Sequence, residues 1–145
     1  MTREICVMEP KYTSPIVAKK SYLAFIPAVL VAAGIAVASL WEYPIVPNEL
    51  MGSDKVLHGL MYALLSAALM GAFVFIRRAR ISTYVYVIIA CTCYGALMEV
   101  LQRFCTFYRT GEMADIYADC LGAIIGALFI ALLYYGRRRV KNKKS

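Results

Sequence analysis

The chain has 145 residues, 61% of them hydrophobic and 17% charged, with a formal net charge of +7. Soluble domains lie nearer roughly 45–50% apolar and about 25% charged, so most water-soluble folds are excluded. One membrane-embedded domain is expected for this length.

In chain order, residues 1–21 form a polar and basic lead with Pro10 and Pro15 and with Arg3, Lys11, Lys19 and Lys20. An apolar run then extends from Tyr22 to Trp41, long enough to match the roughly 20 helical residues that cross a bilayer core about 30 Å thick. Pro27 lies a few residues inside and should cause a kink at most. The run exceeds the usual 7–15-residue core of a signal peptide, so it is read as a retained helix despite the small-x-small triplet Ala36-Val37-Ala38. A link with Glu42, Glu49 and Asp54 follows, in which Pro44 and Pro47 forbid a continuing helix and Ser53 or Asp54 can cap the next one.

The second run, Val56 to Ile76, is interrupted only by His58, and a short link carries Arg77, Arg78 and Arg80. The third, Ile81 to Leu101, is interrupted only by Glu99. The fourth, Ile116 to Tyr135, is interrupted only by Asp119 and leads into a tail with Arg137, Arg138, Arg139, Lys141, Lys143 and Lys144. The runs are continuous rather than alternating, which favours spanning helices over barrel strands. The expected fold is all-α, an integral membrane four-helix bundle over residues 22–136, with a basic tail at 137–145.

The charge is segregated by side. All basic residues except Lys55, Arg103 and Arg109 fall in the lead, the 77–80 link or the tail, whereas Glu42, Glu49, Asp54, Glu99, Glu112, Asp115 and Asp119 belong to the opposite side. The positive-inside rule then places both termini in the cytoplasm, with Trp41 and Tyr43 in the outer aromatic belt. The basic tail reads as a topology anchor touching anionic lipid. No nucleic-acid partner is expected, since no readout element accompanies the charge.

Five cysteines do not make a disulfide framework. Cys91 and Cys93 suit mid-helix packing, while Cys105 and Cys120 both fall toward the outer side, where a bridge is conceivable.

The ionisable residues share helical spacing at the outer end of each run. Asp54, His58 and Tyr62 are four apart, Glu99 and Gln102 three apart, and Asp115 and Asp119 four apart with Gly122 and Gly126 continuing the same stripe. Intramembrane ionisable residues face the bundle interior, pair and mark function, so the three stripes should converge, with Arg109 as counter-ion. Glu99 stands out, because the end of its helix opposes a negative charge and the apolar run disfavours ionisation. That is the setting of a general acid or base.

Together these residues make the sequence resemble the VanZ-like family of small bacterial membrane proteins, named for a member associated with resistance to teicoplanin. The matching elements are Asp54-Lys55-x-x-His58 with Tyr62, then Glu99-x-x-Gln102, Arg109, Asp115, position 119, Gly122 and Gly126. Position 119 departs from the family's usual Asn: it is Asp here, and an ionised carboxylate cannot donate a hydrogen bond. The resemblance implies a multi-pass protein of the bacterial inner (cytoplasmic) membrane with an envelope role, and supplies no reaction.

The candidate catalytic residues are therefore Glu99 and His58, with Asp115 orienting the imidazole. Arg109, Gln102, Asp119, Lys55, Asp54 and Tyr62 are candidates for holding a lipid-linked or anionic envelope molecule. A ligand-binding or proton- or solute-permeation protein, which would oligomerise to conduct, and a purely structural polar cluster remain open. No cofactor and no metal are assigned, since no helix carries a ligand motif such as His-Glu-x-x-His, although His58, Glu99, Asp115 and Asp119 offer a nitrogen and oxygens suited to a divalent ion.

Overall fold

The computed structural model describes residues 22–41, 51–105 and 113–143, and the side chains of all of these except 51–54, 138 and 140–143. Four helices follow in order: α1 (Ile26–Leu40), α2 (Met51–Phe75), α3 (Ile81–Cys105) and α4 (Met113–Lys143). Three of them contain stretches long and apolar enough to cross a membrane, Lys55–Phe75, Ile81–Cys105 and Met113–Arg137.

The first run is shorter than expected. Its helix has 15 residues, which at about 1.5 Å each falls short of the hydrocarbon thickness. Pro27 explains the late start: lacking an N–H, it sits in the first turn of α1, where that donor has no helical partner. Trp41, extended at the other end, terminates it. The other three helices are longer than their apolar runs, so Glu99 lies more than a turn inside α3 rather than at its end, and the basic residues from Arg137 onward continue α4 to Lys143.

The turn between α2 and α3 is built by the arginine link itself. Arg78 N donates to the Phe73 carbonyl at 2.8 Å and Arg77 N to that of Val74 at 3.0 Å, the paired bonds of a Schellman end. Arg77 takes the left-handed conformation that the motif requires, with φ 56°. At the start of α3, Arg80 N donates to Thr83 Oγ1 at 3.2 Å, which satisfies one of the free donors that precede a helix.

α2 and α4 form the most extensive interface. Small residues make it: a Cβ on Gly122 would fall on the Gly59 backbone, and one on Gly126 on the Ala63 carbonyl and Ser66 Oγ. In lipid, where burying an apolar side chain against another helix gains little over burying it in acyl chains, such close approach is what holds helices together. Leu60, Leu64, Ile89, Leu121, Ile125, Leu128 and Leu132 are correspondingly exposed, toward lipid, while Ser39, His58, Ser66, Glu99, Gln102, Asp115 and Asp119 are buried.

Contacts fix the antiparallel order. Phe25, just before α1, stacks edge-on against Phe73 near the end of α2, with ring centroids 5.2 Å apart. Halfway along, the Tyr94 hydroxyl of α3 donates to the Ala32 carbonyl of α1 at 2.8 Å. The far end of the bundle therefore gathers the end of α1, the start of α2, the end of α3 and the start of α4.

Candidate functional site

Each helix brings its polar residues to that far end. On α2, His58 and Tyr62 are one turn apart and 4% and 1% exposed. On α3, Glu99 and Gln102 are buried side by side, and on α4 so are Asp115 and Asp119. Of the residues expected to converge, His58, Glu99, Arg109 and Asp115, the structure brings His58 and Glu99 within 4.0 Å of each other.

The pairings differ in detail from the sequence expectation. The carboxylate on the His58 ring is Asp119, with Oδ1 3.2 Å from Nδ1, and Glu99 Oε1 stands 4.0 Å from the same nitrogen. Asp115 lies a turn nearer the rim, in the first turn of α4, where the helix dipole favours a carboxylate. It faces Lys55, whose Nζ is 3.7 Å from its Oδ1 and whose side chain is 45% exposed. The carboxylate beside the imidazole is thus Asp119 rather than the expected Asp115. The reason is axial: the α2 and α4 backbones touch at Gly59 and Gly122, which levels His58 with the second carboxylate of the α4 stripe rather than the first.

Gln102, a candidate ligand contact, donates through Nε2 to the Ser39 carbonyl of α1 at 3.0 Å and so ties α3 to the end of α1. Tyr62 is buried, and its hydroxyl makes no hydrogen bond among the described residues. Arg109 and Glu112 lie outside the described residues, as does the Asp54 side chain. Arg103 is exposed in the last turn of α3. Cys91, Cys93, Cys105 and Cys120 are all free thiols, so no bridge joins Cys105 to Cys120.

Two contributors escaped the sequence reading. Gly95 lies directly against Asp119: a Cβ there would meet Oδ2 of Asp119, with its Cβ and Cγ at 3.1 Å. The missing side chain on α3 is what admits the α4 carboxyl to the centre of the bundle. Gly95 is four residues before Glu99, one turn along the same face, and that spacing was the available signal. Ser39 contributes only a main-chain oxygen, for which the sequence holds no signal.

Chemically, the centre is an imidazole between two carboxyl groups, with one nitrogen of His58 and one oxygen each of Glu99 and Asp119 within 4.8 Å of one another. Such a group can exchange protons or hold a cation, and away from water its charges must be balanced locally.

Comparison with known proteins places these residues in a wider frame. The model of the family described as VanZ/LLP1 matches residues 10–134. An uncharacterized protein of Schizosaccharomyces pombe is 32% identical over 136 residues, covering 93% of this chain and 76% of the relative. No solved structure is significantly similar.

Proposed function

Since the chain belongs to the VanZ/LLP1 family, we propose that it is a multi-pass membrane protein that binds and acts on the polar head of an envelope molecule, lipid-linked or anionic, at the rim where Lys55 and Asp115 lie. The observation that carries this reading is the burial of His58, Glu99 and Asp119 together, one from each of the three long helices. A charged side chain costs about 2.5–3.5 kcal/mol at a helix centre on insertion scales, and packing between α2 and α4 already has its glycine seam.

In this reading His58 and Glu99 exchange a proton with the bound molecule, Asp119 orients the imidazole, and Lys55 at the entrance attracts its phosphate or carboxylate, a task Arg109 would share. In a bacterial cell the entrance would open on the outer leaflet of the inner membrane. The yeast relative favours a head group that bacterial and fungal membranes share, such as a lipid phosphate, over a peptidoglycan-specific one. Teicoplanin tolerance would then arise indirectly, through altered envelope lipids.

Binding is favoured over permeation by the course of the α2 stripe. His58, Tyr62 and Ser66 continue it inward at steps of four, but the next position is Met70, completely buried, so an apolar plug ends the polar column within the chain.

The test is a bacterial host expressing the protein, with lipids and lipid-linked intermediates profiled by mass spectrometry and teicoplanin susceptibility measured alongside. The wild type should shift at least one such species, and inserted, folded His58→Ala and Glu99→Gln should not. If both variants act like the wild type, the site is misassigned.

A further inference from the structure

We propose that His58, Glu99 and Asp119 form a binding site for one divalent cation of the zinc or manganese class, buried between α2, α3 and α4. The inference rests on the same three buried residues as the proposed function, with an ion in place of the proton between them, and metal content is read apart from the lipid phenotype.

Geometry supports it first. Ligand bonds of about 2.1 Å at tetrahedral angles put donor atoms about 3.4 Å apart. Here His58 Nδ1 is 3.2 Å from Asp119 Oδ1 and 4.0 Å from Glu99 Oε1, and the three donors lie within 4.8 Å of one another. Side-chain movements of less than about 1 Å would close the set. The donors are rigidly based, one on each long helix, and Gly95 keeps space open for the Asp119 carboxyl.

Charge supports it second. At the rim Lys55 Nζ lies 3.7 Å from Asp115 Oδ1. Below them, His58, Glu99 and Asp119 offer a divalent ion one imidazole nitrogen and up to two carboxylate charges. One imidazole with two carboxylates and no thiolate suits zinc or manganese.

The third observation concerns unmatched polar atoms. The Tyr62 hydroxyl, on a side chain 1% exposed, and Asp119 Oδ2 are both buried without a hydrogen bond among the described residues. A buried hydroxyl left unmatched costs about 1–3 kcal/mol. Three protein donors leave a tetrahedral ion a fourth position for a water or an anionic oxygen, and Tyr62 is a donor available to that oxygen.

The full chain in phosphatidylcholine nanodiscs, stripped with chelator, is dialysed against Zn²⁺ or Mn²⁺ alone and its metal content measured. One ion per chain is expected to survive dialysis, and Co²⁺ loaded instead should show ligand-field bands without thiolate charge transfer. Asp119→Asn and Glu99→Gln should weaken binding by more than the roughly 10–100-fold typical of lost outer-shell contacts. Substoichiometric metal, a thiolate spectrum from the cysteines, or variants that bind like the wild type would overturn the site. The cobalt spectrum of the wild type decides the matter even where a variant does not fold.

Discussion

Replacing Gly122 by alanine puts a methyl group where the bundle has no room. The added Cβ would lie 2.8 Å from the Gly59 carbonyl carbon and 2.9 Å from its Cα, with the Gly59 oxygen closer still, whereas ordinary contacts begin near 3.4 Å. The obstacle is backbone, so α2 and α4 must part locally by at least about 0.6 Å. Overpacking of this kind costs about 1–3 kcal/mol, which is roughly a 5- to 150-fold change in the folded-to-unfolded ratio. The same displacement stretches the 3.2 Å contact between His58 and Asp119, since these flank the two glycines, toward a separation at which it ceases to be a hydrogen bond. Equilibrium unfolding in mixed micelles, followed by the fluorescence of the single tryptophan, Trp41, reads the stability. Gly34→Ala is the matched control, because a Cβ there meets nothing within 4 Å, and within a helix it should raise stability by about 0.5–1 kcal/mol. Equal unfolding midpoints for the two variants would refute the argument that close backbone approach holds α2 to α4.

Gly95→Ala should displace the Asp119 carboxyl while leaving the helix interfaces largely intact, so that metal affinity or the lipid phenotype falls by tenfold or more with a far smaller change in thermal midpoint. Gln102→Leu removes the donor to the Ser39 carbonyl and should lower stability by about 1–3 kcal/mol, measured by the same micelle titration. Arg77→Gly relieves a left-handed residue that costs roughly 1–2 kcal/mol in any residue with a Cβ, offset in part by glycine's greater chain entropy. A net gain of up to about 1 kcal/mol is expected, and a loss would show that the arginine side chain is needed at the turn. The positive-inside reading of the basic lead and tail predicts that a C-terminal fluorescent-protein fusion glows and an alkaline phosphatase fusion is inactive; the reverse pattern would invert the proposed entrance.

Much of the architecture was legible in the sequence, because its causes are local. A continuous apolar run forces a helix wherever there is no water to satisfy the backbone, and α2, α3 and α4 follow from that alone. Helical period likewise placed His58 with Tyr62, Glu99 with Gln102 and Asp115 with Asp119 on shared faces. Pro27 was misjudged because its effect depends on where the first turn begins, which the apolarity of the run does not reveal.

The partnership of side chains was a different matter. Period fixes which residues share a face of one helix, but not how far one helix slides along another. That axial offset is set where two backbones touch, at Gly59 and Gly122 and again at Ala63 and Gly126. A shift of one turn, about 5.4 Å, would exchange Asp115 for Asp119 beside His58. The sequence by itself therefore determined which polar groups lie beneath the rim, and the tertiary structure alone decided which of them meet: Asp119 with His58 over Gly95, Lys55 with Asp115, and Gln102 with the Ser39 carbonyl.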